Sequence, residues 1–562
     1  MGQGASVAEK GQDQAVNQHM YSGTKAELLN KLNQRCLKQF TQPELVSFKE
    51  KTMLESFDDL VPEEDVYKLL YLNGAPVNLK RVIHNFLLSF TNFPFISENS
   101  KSVTGFALLK ATCLLKNERC IRYLGTKNYR RVTLVYIALK SHDINNSEED
   151  GYIYNLKDLL QNFDDIDPNL VSLKASDLLQ FLTWMLLMSI KCSTNNCQIN
   201  TNTLYDDWNT YKQVAFNLLR SMNPEIISNP DNQFVSYLEF QNTIFAVMPS
   251  ILQPLENITE HLLYTESCLV EHQYIDPKFV ESKVMKVATI AQLSTALRKE
   301  VILSKLQKLY VGRESGFSMR SLQAKVFKWN APTVMVICGM RIVNDVEYFE
   351  KKNPRYKKFL EEFPKLRDVD QTLDSCHMNK RKVLFAVYMD KPWKVTNKGF
   401  FGGLNTAIIE LSPRQDIFKS VQPETTYFST IGGGIGVGNK QPRVKSNSTH
   451  YSPGNVSLTI NNTLEFAVFR HTGYGGNIGP SLLLSMDNKE NIPFEIRFLI
   501  QDVDVWGCGG EQELEEQLKQ WQWEEAESQR RQRVNLKSLG EDRAILEMAG
   551  IIGQHNQSGG SV

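Results

Sequence analysis

Five glycines fall within seven positions in the segment Y-F-S-T-I-G-G-G-I-G-V-G-N-K, residues 427–440, and a lysine closes it. Glycines ahead of a lysine are the raw material of a phosphate cradle, in which backbone amides take up the anion and the ammonium reaches the terminal phosphate. The spacing does not complete one. Gly433 and Gly438 stand as far apart as the two glycines of a P-loop, but Asn439 takes the lysine position and Lys440 the hydroxyl position. The dinucleotide fingerprint fails too: its third glycine falls on Val437 counted from Gly432, and on Asn439 counted from Gly434. Gly434, Gly436 and Gly438 alternate around Ile435 and Val437, as in a strand lying close against other backbone. Gly432, Gly433, Gly434, Gly436 and Gly438 are therefore read as structural glycines.

Other chemistries are equally incomplete. The nine cysteines never stand as C-x-x-C, and Cys376-His377 has no second pair at ligand spacing, so no metal site is expected. D-I-D-P-N-L-V-S-L-K-A-S sets Asp165, Asp167 and Asn169 at positions one, three and five of a calcium loop. Leu170 then replaces the turn glycine and Ser176 the bidentate glutamate, which predicts a degenerate helix-loop-helix or an acidic loop. G-x-S-x-G and H-E-x-x-H are absent, and no acid or nucleophile singles out His377, His450 or His471. A binding module without cofactor or small-molecule substrate is expected rather than an enzyme. The alternative is an unrecognised enzyme or redox protein acting through Cys338, Cys376 or Cys508, the last in W-G-C-G-G, where glycines are expected to leave it accessible.

Length and charge frame these readings. A chain of 562 residues is expected to form two or three domains. Sixty-three basic residues balance 63 acidic ones, so no global field favours nucleic acid. The apolar run Leu178 to Ile190 is too short to span a bilayer and reads as a core helix. The first twenty residues lack the apolar core of a secretory signal, which predicts a cytoplasmic chain with reduced thiols. M-G-Q-G-A-S puts Gly2 and Ser6 where N-myristoylation requires them, so Gly2 is the expected lipidation site. One acyl chain binds membranes marginally. Lys10, Lys25, Lys31, Arg35 and Lys38 read as too dispersed for a polybasic patch, and the second signal is expected to be a protein partner.

The elements that position these residues divide the chain into four. Residues 1–23 form a leader and 24–288 a helical domain, which opens on two capping boxes, Thr24 with Glu27 and Thr41 with Glu44. Residues 289–510 turn to short β-rich runs with no helices between the later ones, which makes the fold α+β with an antiparallel, sandwich-like sheet. Phe494, Ile496, Phe498 and Ile500 alternate with polar residues, marking a strand with one face buried, and the phase then slips, predicting a bulge near Asp502. The charged stretch around K-K-N-P-R-Y-K-K-F-L-E-E-F-P-K-L-R reads as a solvated helix and loop. Residues 511–562 form a tail whose first part is helical, with acids early and arginines late. Its apolar stripe Leu514, Leu518 and Trp521 cannot also hold Trp523, so Leu518, Trp521 and Trp523 are candidate partner-binding anchors.

Several strings together resemble the TLDc domain: L-Y-V-G-R-E-S-G-F-S (309–318), A-V-Y-M-D-K-P-W-K (386–394), F-F-G-G-L-N-T (400–406), the glycine string, and L-I-Q-D-V-D-V-W-G (499–507). The resemblance implies a sandwich of antiparallel sheets flanked by helices, with the glycine string inside the sheet scaffold. It also implies a role in resistance to oxidative stress and binding to the vacuolar proton-pumping ATPase, with separation of that pump's catalytic and membrane sectors. The chain is accordingly expected in the cytoplasm, peripherally associated with the vacuolar membrane through its partner and the acyl group at Gly2.

Overall fold

The computed structural model describes residues 20–531, leaving out 97–101, 126–130, 141–152, 157–158, 161–162, 165, 192–202, 227–228, 265–278, 298–305, 344–351, 367–381, 446–447, 453, 474, 487–492, 510–511, 513–514, 518, 521 and 524. The α+β architecture is as expected: a helical half, then a large antiparallel sheet with helices. The first two helices are α1 (Lys25–Leu37) and α2 (Gln42–Thr52), and both start on the expected capping boxes. In the second box, the Thr41 amide donates to Glu44 Oε2 at 2.7 Å, while the Glu44 amide donates to Thr41 Oγ1 at 3.4 Å.

The rest of the helical half is built from paired helix-loop-helix units. It comprises α3 (Glu63–Leu69), α4 (Val77–Thr91), α5 (Gly105–Leu115), α6 (Asn117–Leu124), α7 (Arg131–Lys140), α8 (Ala175–Lys191), α9 (Trp208–Met222), α10 (Tyr237–Val247) and α11 (Gln253–Glu260). The loops before α3 and α5 pair through two residues each, with Val61 opposite Val103; those before α8 and α10 pair with Leu173 opposite Val235. All four side chains are buried. Twin loops bridged this way are the scaffold of paired EF-hands. Taking the central strand residue as position eight sets Leu54, Ile96 and Ile166 at the first ligand position of three loops, where calcium needs oxygen; that of the fourth is Ser228, outside the described residues. The phase that put Asp165 first is thus corrected by one residue. Asp167 instead accepts the Asn169 amide at 2.9 Å, and Asp177 pairs with Arg81 at 2.6 Å. The run Leu178 to Ile190 lies in α8 and is buried, and no helix among the described residues is long and apolar enough to cross a membrane.

The sheet begins with β1 (Gln307–Val311), followed by helix α13 (Met319–Val326). The strands that follow are β2 (Thr333–Arg341), β3 (Lys382–Met389), β4 (Ala407–Ser412), β5 (Asp416–Lys419), β6 (Thr426–Ser429), β7 (Gly434–Val437), β10 (Val456–Ile460), β11 (Phe466–His471) and β12 (Phe494–Gly507), while β8 (Lys440–Lys445) and β9 (Ser448–Ser452) form a separate hairpin. Hydrogen bonding runs β5-β4-β3-β2-β12-β11-β10-β7-β6, with β1 also on β12. Phe418 of β5 and Phe469 of β11 are five strands apart on this path, about 24 Å in a flat sheet at ~4.8 Å per strand. Their ring centroids lie 4.8 Å apart. The two layers of the sandwich are therefore one sheet rolled over on itself, and β12 is the strand shared across the roll. Its register against β2 shifts between Ile500 and Asp502, the bulge expected there.

The sheet is covered on both sides. On β2, Met335 and Ile337 face the sandwich interior, while Val334, Val336 and Cys338 join the core of the helical half. Period-two geometry thus turns one uninterrupted apolar run into a strand buried on both faces. Helix α12 (Val287–Ala296), in the connection between the halves, packs on α8 and α9. The charged stretch is not the solvated helix expected. Its helix α14 (Arg355–Glu362) buries Tyr356 and Phe359, with Phe363 following, against Phe466 and Val468 of β11 and Tyr451 of β9. Hydrophobic spacing of three and four under a charged coat made it look soluble throughout. Phe363 also lies beneath the guanidinium groups of Arg470 and Arg497, which both pair with Glu495. The polar face of β12 is consequently covered at Glu495 and Arg497, a correction to the one-sided strand that alternation predicts, while Gln501 on the same face stays exposed.

Candidate partner interface

The glycine string forms the β6–β7 hairpin, and Gly433, Gly434, Gly436 and Gly438 lie too close to neighbouring atoms to carry a side chain. Gly432, Gly434 and Gly438 have φ of 103°, 70° and 83°. A Cβ on Gly434 would lie 2.1 Å from the Ile460 carbonyl, and one on Gly436 2.3 Å from the Tyr427 ring. The amides are committed: Gly433 donates to Ser429 Oγ at 3.2 Å and Gly438 to the Thr425 carbonyl at 2.8 Å. Tyr427 accepts from Asn439, whose amide also donates to Thr459. The residue in the lysine position of a phosphate loop is thus a buried strut between strands.

The other family strings are clasps of the same kind. Asp390 accepts from the Gly403 amide at 2.7 Å, the Asn405 amide at 3.2 Å and Thr406 Oγ1 at 3.1 Å. A side chain on Gly403 would collide with that carboxylate. The loop so fixed presents Leu404 to solvent, and the Ser420 and Glu424 amides hold it through the carbonyls of Thr406 and Gly402. Asp502 pairs with Arg313 at 2.7 Å, and Asp504 accepts from Ser282, whose oxygen takes the Met285 amide at 2.8 Å. Burial pushes the Asp504 carboxyl up to about 6.

Ser481, His471 and Asp416 come together, but not as a nucleophilic triad. The Ser481 hydroxyl donates directly to Asp416, and its amide donates to His471 Nε2 at 3.1 Å. Its oxygen then caps helix α15 (Leu482–Met486) through the Leu484 amide at 3.0 Å. All three residues are buried, and burial raises Asp416 to about 6. A triad needs the histidine between hydroxyl and acid; here the hydroxyl meets the carboxylate directly and His471 accepts only a backbone amide, so the triad relay is not assembled. Cys508 is fully buried, contrary to the accessibility its flanking glycines suggested, because Gly507 lies against the Trp329 indole and the Cys508 amide donates to the Pro332 carbonyl at 2.8 Å. Cys338 is buried too, and loss of solvent raises its thiol. Cys376 lies outside the described residues.

The tail supplies the most exposed aromatic among the described hydrophobic residues of the carboxy-terminal half. Residues 512–531 are helical where described. Gln517, buried to 3% exposure, fastens the helix to the connector after α13: its carbonyl accepts the Asn330 amide at 2.9 Å and its amide donates to the Lys328 carbonyl at 3.2 Å. Asn330 Nδ2 adds a bond to Gln520 at 3.2 Å. Trp523, less than two turns further, is 66% exposed. Leu518 and Trp521, like Gly2, lie outside the described residues. Nothing in the sequence singled out Gln517, since a glutamine in a polar helix reads as surface.

A rolled antiparallel sheet clasped at these strings, and carrying no assembled catalytic group among its described residues, is the architecture of a TLDc-domain protein. A TLDc domain model matches residues 278–509. The chain belongs to the family of yeast proteins named restriction of telomere capping protein 5. It is 50% identical over 562 residues to the Vanderwaltozyma polyspora protein, with both chains fully covered. The Saccharomyces cerevisiae protein is 48% identical over 569 residues and the Kluyveromyces lactis protein 44% over 574, again across the whole of each chain.

Proposed function

We propose that this chain is a non-enzymatic regulator that binds the vacuolar proton-pumping ATPase and promotes its disassembly. The observation that carries the reading is the tail helix, fastened to the TLDc domain through Gln517 while Trp523 stands in solvent. A tryptophan held outward on a fixed helix is the kind of anchor that dominates binding energy at an interface. Leu518 and Trp521, outside the described residues, remain further candidate anchors on the neighbouring stripe, and the acids and arginines of the same helix set its orientation. Acylation at Gly2 adds a weak membrane attachment, so that lipid and partner together hold the protein peripherally at the cytoplasmic face of the vacuole. The telomere in the relatives' name enters as an indirect consequence, because the balanced charge offers no footprint for nucleic acid. The test is to mix the purified, myristoylated chain with intact pump, then measure co-sedimentation and the fraction of pump that comes apart. Binding with dissociation supports the proposal; binding without dissociation removes the disassembly role; no binding at micromolar concentration overturns it.

A further inference from the structure

We infer that the outer face of α1 binds the phosphate-bearing headgroups of an anionic lipid bilayer. Lys31, Arg35 and Lys38 follow one another at spacings of four and three, so the helix gathers on one face charges that look dispersed in the sequence. With Asn30 and Gln34 they line one open, shallow depression of the surface. The adjoining stripe of buried Leu28, Leu32 and Cys36 fixes the helix, leaving Lys31 and Lys38 exposed and Arg35 half-buried at the edge of the face. Two are steered by rings: Lys31 Nζ lies 4.5 Å from the centre of Tyr21, and the Arg35 guanidinium 6.0 Å from that of Tyr123. No ion pair neutralises any of the three among the described residues. Glu27, the acid of the same helix, accepts from the Thr24 amide and makes no ion pair with Lys31.

Place selects a bilayer over a soluble anion. The described chain begins at Met20, and the ring of the next residue, Tyr21, lies under Lys31, so the first described residues stand beside this face. Fully extended, the segment leading back to Gly2 reaches at most about 60 Å, which keeps a lipid at Gly2 and a membrane against α1 mutually compatible. The chain as a whole is neutral, so attraction to an anionic surface must come from a local face of this kind. Each basic residue near such a surface raises partition on the order of fivefold. The face supplies the second signal that a single acyl chain needs, and in that respect it extends the membrane reading above. Its own attraction is independent of acylation.

The full chain is compared with Lys31→Gln/Arg35→Gln/Lys38→Gln, each with and without Gly2→Ala, by co-sedimentation with neutral phosphatidylcholine vesicles and with vesicles containing about one third phosphatidylserine. The triple variant is expected to lose at least about tenfold in partition to the anionic vesicles in both backgrounds, with no change on neutral ones. Lys31→Gln/Lys38→Gln keeps the Arg35–Tyr123 contact and is expected to lose at least about fivefold, which covers any misfolding of the triple variant. Removing equal charge from Lys352, Lys357 and Lys358 at α14 is expected to change nothing. An equal loss at α14, or no loss at α1, overturns the proposal. So does full competition by inorganic phosphate or a soluble inositol phosphate at lipid-equivalent concentration, which would assign the face to a free anion. A loss confined to Gly2→Ala overturns the basic face and leaves the acyl group; a loss confined to the α1 variants does the reverse.

Discussion

The side-chain carbonyl of Gln517 takes the Asn330 backbone amide at 2.9 Å, and the Asn330 side chain adds a second bond to the same helix by donating to Gln520. The tail is therefore part of the TLDc surface at this point, and Trp523 is displayed by a helix whose footing is known.

Replacing Gln517 by alanine removes that footing. The Asn330 amide and the Lys328 carbonyl lose their partners, costing about 1–3 kcal/mol for the tail's attachment. Hydrogen exchange is expected to speed up in residues 512–531 while the sheet is unaffected. Unchanged exchange in the tail would place its attachment elsewhere.

The two halves of the chain are expected to unfold together, because Gln415 spans them. Its backbone amide donates to Ser221 Oγ at 2.7 Å, and its side chain donates to the Val247 carbonyl at 2.7 Å and to Thr295 Oγ1 at 3.0 Å. Gln415→Ala strips buried acceptors of their donor, with an expected loss of roughly 2–4 kcal/mol. Denaturation followed by tryptophan fluorescence measures it; a loss below about 0.5 kcal/mol would show that the junction contributes little.

Burial of Asp504 sets a pH dependence. Its carboxyl is raised from 3.8 to about 6, so the folded chain holds this proton where the unfolded chain has released it. The stabilisation is fully present below the unfolded value and is lost as pH rises through about 6. Between pH ~5 and ~7 this amounts to roughly 1.4 kcal/mol. Asp504→Asn cannot release a proton, so the variant is expected to gain about that much relative to the parent over the interval. A stability difference that stays constant with pH would contradict the assignment.

Much of this was legible in the sequence. The capping boxes, the bulge at Asp502 and the antiparallel sheet follow from local rules, because cap chemistry and period-two alternation act within a few residues. What escaped depends on long-range packing. The covered outer faces of β2 and β12 were invisible because an apolar run does not say what lies on either side of it, and Arg470, Glu495 and Arg497 looked like solvent-facing charge until Phe363 covered them. The basic face of α1 was hidden by reading spacing along the chain instead of around the helix. Cys508 was misjudged because glycine frees the backbone without exposing the side chain beside it.

The most direct test is the affinity of intact vacuolar ATPase for the parent chain and for Trp523→Ala, measured by co-sedimentation alongside the melting temperature of each. Because Trp523 is largely exposed, the substitution is expected to leave the melting temperature in place while weakening binding at least about tenfold and reducing pump disassembly in step. Equal binding by a variant that melts with the parent would contradict the assignment of the tail as the partner surface.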